Sequence, residues 1–152
     1  MTPLHTKTLK VVEAFLHLPK DEALLKICEE LDQRFQHFNW TGFYNMNFEL
    51  SQLELGPYVG EKTYHTIIPF GRGICGQVAV SGETFISQNV KEEENYLACS
   101  SATQAEIVVP IFNLGNQLVG QLDIDSHYAK SITREDEKML FAICEKIRPL
   151  FS

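Results

Sequence analysis

"EIVVPIFNLGNQLVGQLDIDS", residues 106–126, is the stretch on which the fold turns. Two apolar, β-branched runs flank Leu114-Gly115-Asn116, and turn chemistry between two such runs predicts a long antiparallel hairpin. Side chains alternate across a strand, so Leu122 and Ile124 point to one face and Asp123 and Asp125 to the other. Glu106 opens the neighbouring strand, and pairing can bring it alongside the two aspartates. Three converging carboxylates repel one another, raise each other's pKa and make a place that wants a cation or holds a proton. Two other readings stay open: a solvated sheet face with dispersed acids, and a set of oxygen ligands for Mg²⁺ or Ca²⁺.

Working outward, "SITREDEKMLFAICEKIRPLF" follows the hairpin. Thr133 with Asp136 three residues on marks a helix start, and Leu140, Ile143, Ile147 and Leu150 keep helical spacing. Upstream, "TFISQ" reads as a short strand and 91–103 as a polar connection without a period. "IIPFGRGICGQVAVSGE" predicts a strand ended by Pro69 and the nearby glycines, then a short helix from Gly73 stopped at Gly82. "WTGFYNMNFELSQLELG" predicts a hairpin with its turn near 47–52, followed by a loop over 57–66. Residues 4–17 and a second segment capped by Asp21 read as amphipathic helices, the latter with a stripe of Leu24, Ile27, Leu31, Phe35 and Phe38. Terminal helices around a meander of strands predict an α+β fold: an antiparallel central sheet with the N- and C-terminal helices on one face. With no repeat, low-complexity tract or linker, 1–152 reads as a single domain.

The totals exclude several classes. The 152 residues carry 13 Lys and Arg against 20 Asp and Glu, a net charge of −7, with no basic run to attract a phosphate backbone, so nucleic acid is not an expected partner. No apolar stretch approaches the roughly 18 residues of a membrane span. The N-terminal "MTPLHTKTLK" lacks the apolar core of a secretory signal, and a cytoplasmic location is expected.

The four cysteines, 28, 75, 99 and 144, form no C-x-x-C pair, which argues against structural zinc, and cytosolic reductants favour free thiols. Cys28 and Cys144 fall on amphipathic helices and read as core. "GRGICG" (71–76) formally fits G-x-G-x-x-G, but the following helix is too short for the parallel crossover of a dinucleotide site. Its glycines instead turn the chain and deliver Cys75 to a helix start, where unsatisfied N–H groups and Arg72 favour a thiolate. Cys99 lies among small residues in the irregular connection. Both thiols are equally readable as small buried side chains. Trp40, the one tryptophan, reads as core filler or as the apolar wall of a pocket.

Taken together, "NWTGFY" (39–44), "ELGPYVGE" (54–61), "IPFGRGICG" (68–76), "AC" at 98–99, "EIVVPI" (106–111) and "GQLDIDS" (120–126) resemble a GAF domain, and more narrowly the free methionine-(R)-sulfoxide reductases. The resemblance implies a six-stranded antiparallel GAF sheet with a loop-covered pocket, and free methionine (R)-sulfoxide as substrate. It sets Trp40 against the methyl end, with Glu106, Asp123 and Asp125 around the polar groups. Cys99 aligns with the catalytic thiol and Cys75 with a second family cysteine. The implied chemistry is thiol attack on the sulfoxide sulfur, protonation of the leaving oxygen by an acid such as Glu106, and a sulfenic acid condensed to a disulfide. Thioredoxin or a similar dithiol would recycle it, as a defence against oxidative stress. No cofactor or metal is implied, and a homodimer is left open. Two departures stand out: His65 occupies the position of a third, upstream cysteine, and "NYLACSS" lacks the family's usual His and Gly before the catalytic cysteine and Asp after it. The alternative is a sensory GAF domain that binds its ligand without efficient turnover. A cyclic-nucleotide pocket is disfavoured, because a phosphate would face the acids.

Overall fold

The computed structural model describes residues 1–97 and 101–152. Its helices are α1 (Pro3–Glu13), α2 (Lys20–Arg34), α3 (Gly73–Ser81) and α4 (Arg134–Lys146), and its strands are β1 (Trp40–Asn47), β2 (Gln52–Val59), β3 (Ile67–Pro69), β4 (Phe85–Ser87), β5 (Ala105–Phe112) and β6 (Leu118–Ser126). Two short 3₁₀ turns, Val90–Glu92 and Arg148–Phe151, complete the order. The strands form one sheet in the order β3-β2-β1-β6-β5-β4, and every described pairing is antiparallel.

The expected hairpin is the centre of this sheet. Val109 pairs with Leu122 and Ile107 with Ile124, and all four side chains are buried against Leu24, Ile27, Leu31, Met139, Leu140 and Ile143 of the helices. Burying each such aliphatic side chain is worth roughly 1.5–3 kcal/mol, so this layer fixes which face turns inward. The helices α1, α2 and α4 cover that face, while α3 packs on the opposite one with a second apolar cluster that includes Trp40, Tyr44, Ile74, Val78 and Val108.

Local signals set most boundaries. Thr133 accepts from the Asp136 N–H at 3.0 Å, and Asp136 accepts from the Thr133 N–H at 3.0 Å, a complete capping box for α4. Gly82 ends α3 in the left-handed conformation, at φ 68°, with its N–H bonded to Val78 O.

Three expectations shift. Asp21 does not cap α2; the cap position is Pro19, and Asp21 with Glu22 lies in the first turn, where negative charge favours the helix dipole. The apolar stripe outlasts the helix, since Phe35 turns extended (φ −122°, ψ 109°), and Phe35 and Phe38 stack at 4.8 Å to seal the end of the core. Strand β2 also continues past Pro57 to Val59. Its register against β1 shifts between the Gly42–Tyr58 and Tyr44–Leu55 pairs, so Gly56 and Pro57 occupy an irregularity where a proline needs no ladder bond.

A buried polar knot ties α1, α4 and the turn after α2 together. Asp136, 1% exposed, accepts from His5 Nε2 at 2.8 Å and His37 Nε2 at 2.6 Å. Burial alone would push its carboxyl upward, but the bonds from His37, His5 and the Thr133 backbone outweigh it and hold the group below the ordinary aspartate value.

Candidate functional site

The face of the sheet under α3 carries the acids. Register places Trp40 opposite Asp125, Asp125 opposite Glu106 and Glu106 opposite Ser87, so one row across four strands runs indole, carboxylate, carboxylate, hydroxyl. The next row on the same face is Gly42, Asp123, Val108 and Phe85. Glu106, Asp123 and Asp125 are 2%, 0% and 1% exposed, which rules out the solvated-face reading. Carboxylates gathered on one buried face cannot all be charged there without cost.

Cys75 joins them from above. Its Sγ lies 4.0 Å from Glu106 Oε2, and ligand atoms of Cys75, Glu106 and Asp123 all fall within 4.8 Å of one another. The expected helix-start position is borne out, since Cys75 is the third residue of α3. A thiolate there would face carboxylates as well as helix N–H groups, however, and negative neighbours oppose its ionisation. The Cys75 carbonyl accepts from Gln121 Nε2 at 3.1 Å, which anchors α3 on the sheet. The other sulfurs behave as core: Cys28 and Cys144 are buried, and burial pushes both thiols far up. Cys99 lies outside the described residues.

Trp40 packs at the end of this row. It is 1% exposed and stacks on Tyr58 at 5.3 Å and Tyr44 at 6.4 Å, and its Nε1 donates to Glu61 O at 3.1 Å. The indole lies over Gly42, where any Cβ would overlap the ring. Tyr44 donates to the His65 carbonyl at 2.9 Å, tying the 60–66 loop to this aromatic stack.

Sequence reasoning missed the segment that closes the other side. Asn95 Oδ1 accepts from Gly73 N at 2.7 Å, and its Nδ2 donates to Gly71 O at 2.7 Å, so one amide clasps the glycine turn. The next residue, Tyr96, packs into the second cluster. Burial first, then the charges of Asp125 and Glu106, push its phenol far up. Beyond the undescribed residues, Thr103 donates to Asp125 Oδ2 at 3.5 Å. The 91–103 stretch has no period to read, but an aromatic three residues ahead of Cys99 was a usable signal. Gln121 was readable too, sharing the alternation of Asp123 and Asp125.

Comparison with known proteins agrees with this architecture. A family model described as GAF domain matches residues 17–148. The chain is 39% identical to Protein YtsP of Bacillus subtilis over 109 residues, 72% of this chain and 66% of that protein, so it spans just under two-thirds of that relative's length. It is 38% identical to the free methionine-R-sulfoxide reductase of Escherichia coli over 120 residues, 77% of this chain and 70% of the relative. The free methionine-R-sulfoxide reductase of Neisseria meningitidis, solved in complex with its substrate, superposes with a TM-score of 0.89 at 31% identity, over 97% of this chain and 87% of that one.

Proposed function

The chain belongs to the GAF domain family, and from that premise we propose that it is a thiol-dependent reductase of free methionine (R)-sulfoxide, built as one GAF domain over 1–152. The observation that carries the reading is the buried meeting of Cys75 with Glu106 and Asp123, in register with Asp125 and Trp40. A buried acidic set of this kind beside an indole suits a small zwitterion. Its ammonium offsets carboxylates that would otherwise repel one another, and its methyl group rests on the indole.

In this reading Cys99 is the nucleophile. Its sulfur attacks the sulfoxide sulfur and forms a transient S–S bond; the oxygen passes to the cysteine sulfur as the S–O and S–S bonds break, leaving a sulfenic acid and free methionine. The substrate sulfur gains two electrons and the cysteine sulfur loses two. Glu106, kept protonated by its acidic neighbours, supplies a proton to the leaving oxygen. The Cys75 thiol then displaces water from the sulfenic acid to give a disulfide, and a dithiol of the thioredoxin type exchanges with it to restore both thiols.

The test is an NADPH-coupled thioredoxin assay on the free R epimer, with Cys99→Ser as the control. Turnover by the wild type and none by the variant is expected; no turnover with either thioredoxin or dithiothreitol refutes the enzyme reading. His65, at the place of the family's upstream cysteine, favours a second reading in which the same acidic set binds methionine sulfoxide as a sensor. Calorimetric binding without catalysis would distinguish it.

A further inference from the structure

Asn95 and Leu97 are both pinned to the glycine turn ahead of Cys75. Asn95 holds Gly71 O and Gly73 N through its side chain, and its own carbonyl accepts from Gln77 Nε2 at 3.1 Å. Leu97 lies so close over Gly73 that a Cβ there would come within 2.9 Å of the leucine Cβ. Tyr96 stands between these anchors, with its ring in the second apolar cluster. Its buried hydroxyl meets no partner at full hydrogen-bonding distance among the described residues, only a looser approach to Thr103, and it feels the charges of Asp125, Glu106 and Asp123. A buried donor left unmatched is costly, and a phenol amid carboxylates keeps its proton.

A bound sulfoxide poses a problem that the carboxylates solve poorly. Protonated Glu106 gives the sulfoxide oxygen one donor, but the ionised acids that attract the ammonium repel that partly negative oxygen, and its remaining lone pair calls for a second neutral donor. We propose that Tyr96 is that donor: its hydroxyl bonds the sulfoxide oxygen and makes the site distinguish methionine sulfoxide from methionine. The assignment rests on the reductase reading and adds a specificity-determining residue to it. The hydroxyl lies three residues ahead of Cys99 in the chain, so oxygen and sulfur of the substrate are addressed from one short segment. Once the oxygen has left, methionine offers the phenol no acceptor, which favours release of product over substrate.

The experiment uses the Cys99→Ser chain, which binds without turning over. Free methionine (R)-sulfoxide and methionine are each titrated calorimetrically into it, with and without Tyr96→Phe. The phenylalanine keeps the packed ring, and methionine binding reports that the site is intact. The expected result is a sulfoxide Kd weaker by about five- to tenfold with methionine's within about twofold of its starting value, the loss of one hydrogen bond to a neutral donor. An unchanged sulfoxide Kd, or an equal loss for both ligands, overturns the assignment. Failure of the Tyr96-containing chain to bind either ligand overturns the reductase reading itself, and the assignment with it.

Discussion

Replacing Asp136 by alanine removes three hydrogen bonds to one buried carboxylate: from His5 at 2.8 Å, His37 at 2.6 Å and the Thr133 N–H at 3.0 Å. It also leaves the 6%-exposed His5 without its carboxylate. The Thr133 hydroxyl still caps the helix through the residue-136 N–H, while removing one partner of a buried, hydrogen-bonded pair costs about 3–5 kcal/mol. For a chain of this size that lowers Tm by roughly 6–20 °C. The sign of the pH dependence follows from the direction of the shift. Asp136 is held below its ordinary value in the folded protein, so its contribution is complete above the unfolded aspartate pKa and is lost as pH falls through the folded one. Urea unfolding of wild type and Asp136→Ala between neutral pH and about pH 2 should show a constant gap near neutrality that closes in acid. A gap below about 0.5 kcal/mol at pH 7, or one that persists unchanged at the acid end, refutes the argument, because paired carboxylates must matter only while ionised.

Gly42→Ala would drive a methyl group into the Trp40 ring and should destabilise by about 1–3 kcal/mol. Trp40 is the sole tryptophan, so its emission should shift to the red as the ring is displaced toward water; an unmoved spectrum with unchanged Tm counts against the close packing. Mass spectrometry after one equivalent of methionine (R)-sulfoxide should find a Cys75–Cys99 disulfide in wild type and a dimedone-trappable sulfenic acid in Cys75→Ser. A trappable sulfenic acid in wild type instead assigns resolution to an external thiol.

Where the sequence carried a repeating constraint, the structure was legible. The alternation over 118–126 sorted Leu122 and Ile124 from Asp123 and Asp125 correctly, because a slip of one residue would have sent every apolar side chain outward. Thr133 with Asp136 and the glycine at 82 likewise announced helix ends through bonds a few residues long. The misreadings were of the other kind. Pro57 looked like a strand terminator, and only pairing with β1 reveals an irregularity that accommodates it. Asp21 is a good capping residue in isolation, yet the helix begins earlier, at Lys20 after Pro19. In the candidate site, Trp40 and the acids came from alternation and the family resemblance, whereas Asn95 owes its place to long-range bonds with the glycine turn that no local pattern encodes.

The two outermost strands are short. Ile67–Pro69 on one side and Phe85–Ser87 on the other offer three residues each, and the first ends in a proline. A foreign chain seeking to extend this sheet would find a ladder of one or two rungs, too little to nucleate further growth. The acids meanwhile sit on the interior strands β5 and β6, so the proposed binding groups are shielded from any such templating. Self-association, where it occurs, is steered toward the helices and loops, away from the cross-β route that endangers many sheet proteins.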